Sequence, residues 1–295
     1  MMTEFSTRVS RGGTRLAMAA ALTLSMAGAA AAQTPAPAAP PADPDPNTGA
    51  LTFTGGLDVP TKYVFRGIVQ EADSNLTLFP YGDVGFALFS GEGAIKSASV
   101  NVGVWNAILT GSSGSDGPFE KKHYELDFYT TFTLGFDKGF SLATTYTAYT
   151  SPNGMFNPVQ EIAFKVSKAH MLAPYGLIAF ELDGQADGGS SKGTYLELGV
   201  GPSWPLAGGK ATIGVPVKLG LSLNDYYEGP DGDSTFGYFQ VGGLLTLPLS
   251  SATSKFGAWN LHGGVDIYAF GDTTKAFNQG DAGKVVASFG IGVVY

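Results

Sequence analysis

"VVASFGIGVVY", residues 285–295, alternates along its whole length. Val285, Ala287, Phe289, Ile291, Val293 and Tyr295 share one wholly apolar face, while Ser288, Gly290 and Gly292 lie mostly on the other. Successive side chains of an extended chain point to opposite faces, so this period of two predicts a strand with one greasy and one wet side. "YELDFYTTFTLGF", 124–136, repeats the pattern: Tyr124, Leu126, Phe128, Phe132, Leu134 and Phe136 face one way, and Glu125, Asp127, Tyr129, Thr131 and Thr133 the other. The expectation is that the first set meets lipid or a core and the second meets water.

About twelve such segments follow one another, near 51–69, 76–89, 96–110, 122–136, 139–150, 159–168, 174–183, 193–204, 210–223, 236–249, 258–271 and 283–295. Connections after the odd-numbered segments are long and polar ("GSSGSDGPFEK", "DGQADGGSSK", "NDYYEGPDGDS"), and those after the even-numbered ones are mostly short ("SGEG", "DKG", "LAGGK"). An antiparallel meander with long loops at one end and short turns at the other is the pattern of an all-β, transmembrane, up-and-down β-barrel. In such a barrel both termini are periplasmic and the long loops extracellular. A secreted β-sandwich would also alternate. Its wet face, however, would be charged, whereas here that face is largely Gly, Ser, Thr and Tyr. Alternate-face aromatics also gather at the short-turn end, at Phe89, Phe136, Phe140, Trp204, Trp259 and Tyr295, where an interfacial girdle belongs.

Composition agrees. Of 295 residues, 42 are glycine and 14 % are charged, against about a quarter charged in ordinary soluble domains. The net charge of −8 argues against nucleic acid as a partner. Absence of cysteine excludes disulfides, thiol catalysis and thiolate metal sites. Residues 1–32 read as a Sec signal peptide: Arg8, Arg11 and Arg15 precede the apolar run "LAMAAALTLSMAGAA", and "AAAQ" offers a cut after Ala32. Residues 33–49, a Pro/Ala-rich tract, read as an extended linker, which leaves 50–295 for the barrel. The expected location is the outer membrane of a Gram-negative cell.

"KYVFRGIVQ", 62–70, puts two cations in an apolar stretch. Strict alternation groups Lys62, Val64, Arg66 and Ile68 against Tyr63, Phe65, Gly67 and Val69. A Lys or Arg facing lipid at mid-bilayer costs about 2–4 kcal/mol, so the cationic face is expected to line the lumen, with Tyr63, Phe65 and Val69 toward lipid. The same test predicts inward positions for Asp83, Glu125, Asp127, Glu161, Lys165, Glu181, Asp183, Glu197, Lys218, Asp266 and Lys284. Asp58 falls on that face too, although Pro60 can shift its register. Lys62 and Arg66 are expected near the outer mouth, paired with Glu125 or Asp127.

Tyr63, Phe65, Arg66 and Gly67 at the end of a first strand, Gln70 shortly after, and Pro80 preceding an aromatic in the second strand together resemble the Gcw_chp family, whose members are named TorF family porins. The resemblance covers about Ala50 to Tyr295. It implies an outer-membrane protein with a pore function and supplies no catalytic residues.

Sites for other chemistry are sparse. His123, His170 and His262 are too scattered for a standard metal spacing. "GPSWPLAGGKA" has the wrong glycine spacing for a phosphate loop, with Ala211 where Ser or Thr is required. Asp225, Glu228, Asp231 and Asp233 lack the EF-hand register, and no GxSxG occurs. The function expected is therefore passive passage of small solutes or ions, mildly cation-preferring because nine inward acids face five cations. A non-conducting anchor or scaffold is the alternative, with an outer-membrane hydrolase third. No cofactor or metal is expected. The expected partners are membrane lipids, the transported solute and the barrel assembly machinery, with Tyr295 as the terminal aromatic that machinery reads.

Overall fold

The computed structural model describes residues 50–71, 75–113, 119–229, 232–249 and 256–295. The expected signal peptide and linker lie outside them. Twelve antiparallel staves run in chain order around one sheet. They are β1 (Leu51–Pro60), β2 (Thr77–Ser90), β3 (Ile95–Leu109), β4 (His123–Phe136), β5 (Phe140–Thr150), β6 (Val159–Lys168), β7 (Tyr175–Asp183), β8 (Thr194–Val200, continued by Ser203–Leu206), β9 (Ala211–Gly214 with Val217–Asn224), β10 (Phe236–Pro248), β11 (Ala258–Phe270) and β12 (Gly283–Val294). Pairing of β1 with both β2 and β12 closes the ring: Leu57 stands opposite Pro80 on one side and Ile291 on the other. Beyond the staves, Phe53 and Tyr295 exchange two backbone hydrogen bonds of 2.6 and 2.8 Å, which ties the last residue to the first stave.

The outer surface is the apolar set that alternation names. Phe128, Phe164, Leu198, Phe239, Ile267, Val285 and Phe289 are all exposed, while their neighbours Asp127, Tyr129 and Val286 are buried. A closed sheet with no free edge, apolar outside and polar inside, satisfies its backbone without water and is the β solution to crossing a bilayer. Among the described residues no helix is long and apolar enough to cross. Phe89, Phe140, Trp204, Trp259 and Tyr295 stand exposed at the short-turn end.

Prolines interrupt two staves. β8 breaks at Gly201–Pro202 and β9 at Val215–Pro216, because proline has no N–H to give the ladder. The break is bridged instead by Val215 donating to the Pro202 carbonyl and Gly242 to that of Pro216. A bulge in the β3–β4 ladder sets Ala107 opposite Glu125 but Ile108 opposite His123. Tyr124, expected on the lipid face, is thereby turned inward beside Glu125, and both are buried.

Candidate functional site

The first stave stops earlier than alternation suggests. β1 ends at Pro60, and the chain then leaves the wall, enters the barrel and makes a miniature hairpin in which Val64 pairs with Val69 and Phe65 with Ile68. Arg66 and Gly67 form its two-residue tip, with φ of 46° and 83°. This is the positive-φ pair that matches the twist of a tight hairpin. A left-handed non-glycine residue costs about 1–3 kcal/mol and persists only where its surroundings hold it. Gly67 is needed for space as well, since a Cβ there would lie 2.9 Å from the Tyr238 ring. Tyr63, Val64, Phe65 and Arg66 are all buried. Tyr63 and Phe65 therefore face the lumen, not lipid, and Val69 goes with them. Alternation fails here because the segment is no longer part of the wall.

Arg66 is 3 % exposed and sits in a closed cage. Its two terminal nitrogens donate to the two carboxylate oxygens of Glu161 at 2.6 and 2.7 Å, and one of them also donates to the Tyr226 hydroxyl at 2.7 Å. The guanidinium carbon lies 4.2 Å from the centre of the Tyr195 ring, 5.0 Å from Phe65 and 5.2 Å from Tyr226. Such a forked, charge-assisted pair against ring faces is the strongest geometry available to an arginine. The Nε atom has no partner among the described residues. Tyr227 fixes the tip from above by donating to the Arg66 carbonyl at 2.9 Å. The expected partners were Glu125 or Asp127. Glu125 instead accepts from Tyr63 at 2.6 Å, because the hairpin swings the arginine across the lumen toward β6. Lys62 stands half-buried at the hairpin's neck.

The other long connections clamp the hairpin into a plug. Tyr63 packs among Phe79, Trp105 and Tyr124 at ring separations of 5.0–6.1 Å, and Phe65 lies against Tyr149 at 5.7 Å. Tyr124 donates to Gln70 at 2.7 Å, and Glu71 accepts from Ser112 and from the Ser113 amide. Asn278, just past the short helix α1 (Asp272–Phe277), accepts from the Val69 amide and donates to the Gly67 carbonyl, both at 2.8 Å. Tyr226, Tyr227, Tyr195, Tyr149 and Asn278 were not singled out by sequence reasoning. The only hint was a Tyr-Tyr pair inside an otherwise acidic loop, which is apolar for a segment meant to lie in water.

Below the plug the lumen holds a layer of buried charged side chains, most of them bonded to neutral partners. Glu197 accepts from Tyr175, Tyr195 and Tyr238 at 2.6–2.8 Å and interacts with Lys218, which is 1 % exposed. Lys165 stands 4.3 Å from the Tyr175 ring centre. Gln240 donates to Asp266 at 2.7 Å, and Asn101 and Tyr129 to Asp83 at 3.0 and 3.3 Å. Asp127 is buried with one oxygen unpartnered among the described residues. Glu181 accepts the amides of Ala186 and Gly193, both at 2.6 Å, and so caps the loop beyond β7. Toward the short-turn end Asp58 meets His262 at 2.6 Å. Asp183 is exposed at the outer rim, and Lys284 pairs with Asp281 of the preceding loop.

His123 contacts Asn106 at 2.9 Å, and His170 accepts from the Leu172 amide within its turn, so the histidines stay apart. Asp225, Glu228 and Asp233 bring carboxylate oxygens within 4.8 Å of one another at the outer surface, while Asp231 lies outside the described residues. Glu228 is already engaged: the amides of Ser191 and Ser190 hold its carboxyl below the usual range.

No family model and no curated protein matches the chain, so the likeness to the Gcw_chp family rests on the motif residues alone. Solved structures with a similar fold include the NanC porin (12 % identity, TM-score 0.39, covering 83 % of this chain and 98 % of that one). Salmonella typhi OmpF in complex with daunomycin is another (10 % identity, TM-score 0.39, 83 % and 97 % covered). Outer membrane phospholipase A from Escherichia coli is a third (11 % identity, TM-score 0.42, 81 % and 92 % covered). The likeness is one of fold and assigns no residue a role.

Proposed function

We propose that the protein is an outer-membrane channel for small ions or solutes whose outer mouth is shut by the plug of residues 62–71. One observation carries this reading. The wall completes its own hydrogen bonding from β1 to β12, whereas the plug is a separate two-rung hairpin inserted in the lumen. The plug can therefore leave without opening the barrel. Once it leaves, the inward acids Asp83, Glu125, Asp127, Glu161, Glu181, Glu197 and Asp266 outnumber Lys165 and Lys218, and a confined excess of negative charge concentrates cations.

The test replaces residues 62–70 by a short Gly-Ser linker and compares planar-bilayer recordings with the parent. The parent should be mostly closed, and the variant should hold a steady open level with a reversal potential on the cation side. Arg66→Ala should show the same effects in weaker form. A second reading, a non-conducting anchor or scaffold, is favoured by the near-complete burial of Lys218, Glu197 and Gln240 below the plug. A plugless variant that stays silent decides for it. Among the described residues the ring nitrogens of the histidines bond to Asn106, the Leu172 amide, Asn260 and Asp58, and none of these bonds joins a hydroxyl nucleophile.

A further inference from the structure

We infer that the cage around Arg66 is a binding site for guanidinium compounds, with Arg66 as its built-in occupant. Free alkylguanidinium ions are then the class of ligand that competes with the plug. The opening step rests on the channel reading given above; the binding step does not.

The cage belongs mostly to the wall. Glu161 lies on β6, Tyr149, whose hydroxyl donates to Glu161 at 3.4 Å, on β5 and Tyr195 on β8, and only Phe65 travels with the plug. Tyr226, the remaining member, has supports of its own. Its amide donates to the Ser222 hydroxyl at 3.0 Å, and its ring packs on Tyr195 at 5.0 Å and Tyr227 at 5.2 Å. Gly193 leaves room for it, since a Cβ there would come within 2.6 Å of Tyr226. Withdrawal of the hairpin would thus leave a carboxylate, a hydroxyl acceptor and ring faces still facing the vacated space.

The chemistry of that space is selective. All polar contacts to the side chain fall on its two terminal nitrogens, and Nε is left without a partner among the described residues. The cage therefore reads the part of the group that every alkylguanidine shares. A planar fork meets both oxygens of one carboxylate and lies flat on an aromatic face, whereas an ammonium is a strongly hydrated point charge that does neither. The occupant in place carries a left-handed backbone at φ 46°, a strain that a free ligand does not have.

The experiment titrates methylguanidinium and methylammonium, at matched ionic strength, into detergent-refolded Arg66→Ala and into the plug-replaced protein by calorimetry. Both variants are checked first for heat-dependent gel mobility. Two variants keep the test alive if one does not fold. Methylguanidinium should bind saturably, at least about tenfold tighter than methylammonium, and adding Glu161→Gln should remove that preference. Equal binding of the two ions, or a preference untouched by Glu161→Gln, overturns the inference. On the parent protein, methylguanidinium should raise open probability where methylammonium does not. Selective binding in a plugless variant that never conducts would sink the channel reading and keep the site. Conduction with no selective binding would do the reverse.

Discussion

A buried ion pair is held by mutual compensation, and at the scale of single residues that makes Arg66 and Glu161 interdependent. Each is 3 % exposed, so removing one leaves the other charged in a dry cage. Breaking such a pair costs about 3–5 kcal/mol, while exchanging both members for apolar groups of similar volume is close to neutral. Glu161→Ala should accordingly lower the urea midpoint of the refolded protein strongly, and Arg66→Met combined with Glu161→Leu should restore most of it. Additive losses in that double-mutant cycle would show that the pair is not coupled. The inward direction of Arg66 was legible in the sequence, because lipid excludes a guanidinium whatever the local path. Its partner was not. Glu161 is 95 residues away, and only the inward swing of the hairpin chooses it over Glu125. Tyr63 and Phe65 were misread for a related reason: a tight positive-φ turn is announced by Asn-Gly or Asp-Gly, and Arg-Gly gives only half that signal.

At the scale of elements, the staves were the readable part. A wall that meets lipid on one side and packed polar groups on the other must alternate, so their positions follow from period two, with errors where a proline or a bulge breaks it, as at Pro202, Pro216 and Tyr124. The clamps on the plug were unreadable because they are single side chains reaching in from distant loops. Asn278 is the clearest of these, with one bond to Gly67 in the hairpin tip and one to Val69 on the returning arm. Asn278→Ala strands a buried amide and a carbonyl, at about 1–3 kcal/mol for each group. The expected result is brief openings in bilayer recordings with no loss of the barrel, and a gating pattern identical to the parent would remove Asn278 from the latch. The seam gives another prediction. Deleting Tyr295 removes both of its backbone bonds to Phe53 together with the terminal aromatic, and the folded yield in outer membranes should fall. Unchanged assembly would mean that neither the bonds nor the aromatic matters.

At the scale of the whole molecule, closure dominates. With no free edge, unfolding must break many ladder bonds at once, so the protein should run faster on a detergent gel unheated than boiled and should fractionate with outer membranes. Identical mobility in both states, with recovery in the soluble periplasm, would contradict the ring. The way the stopper is attached has one more consequence. Its two ends join β1 and β2, neighbours in the wall that still pair at Asp58 and Phe79, so it is tethered at both ends to the rim it closes. Reclosure is then an intramolecular event with an effective concentration of order millimolar. The mouth reseals at a rate independent of how densely the protein populates the membrane, and a soluble cation contending for the same seat must itself approach millimolar levels to keep it open.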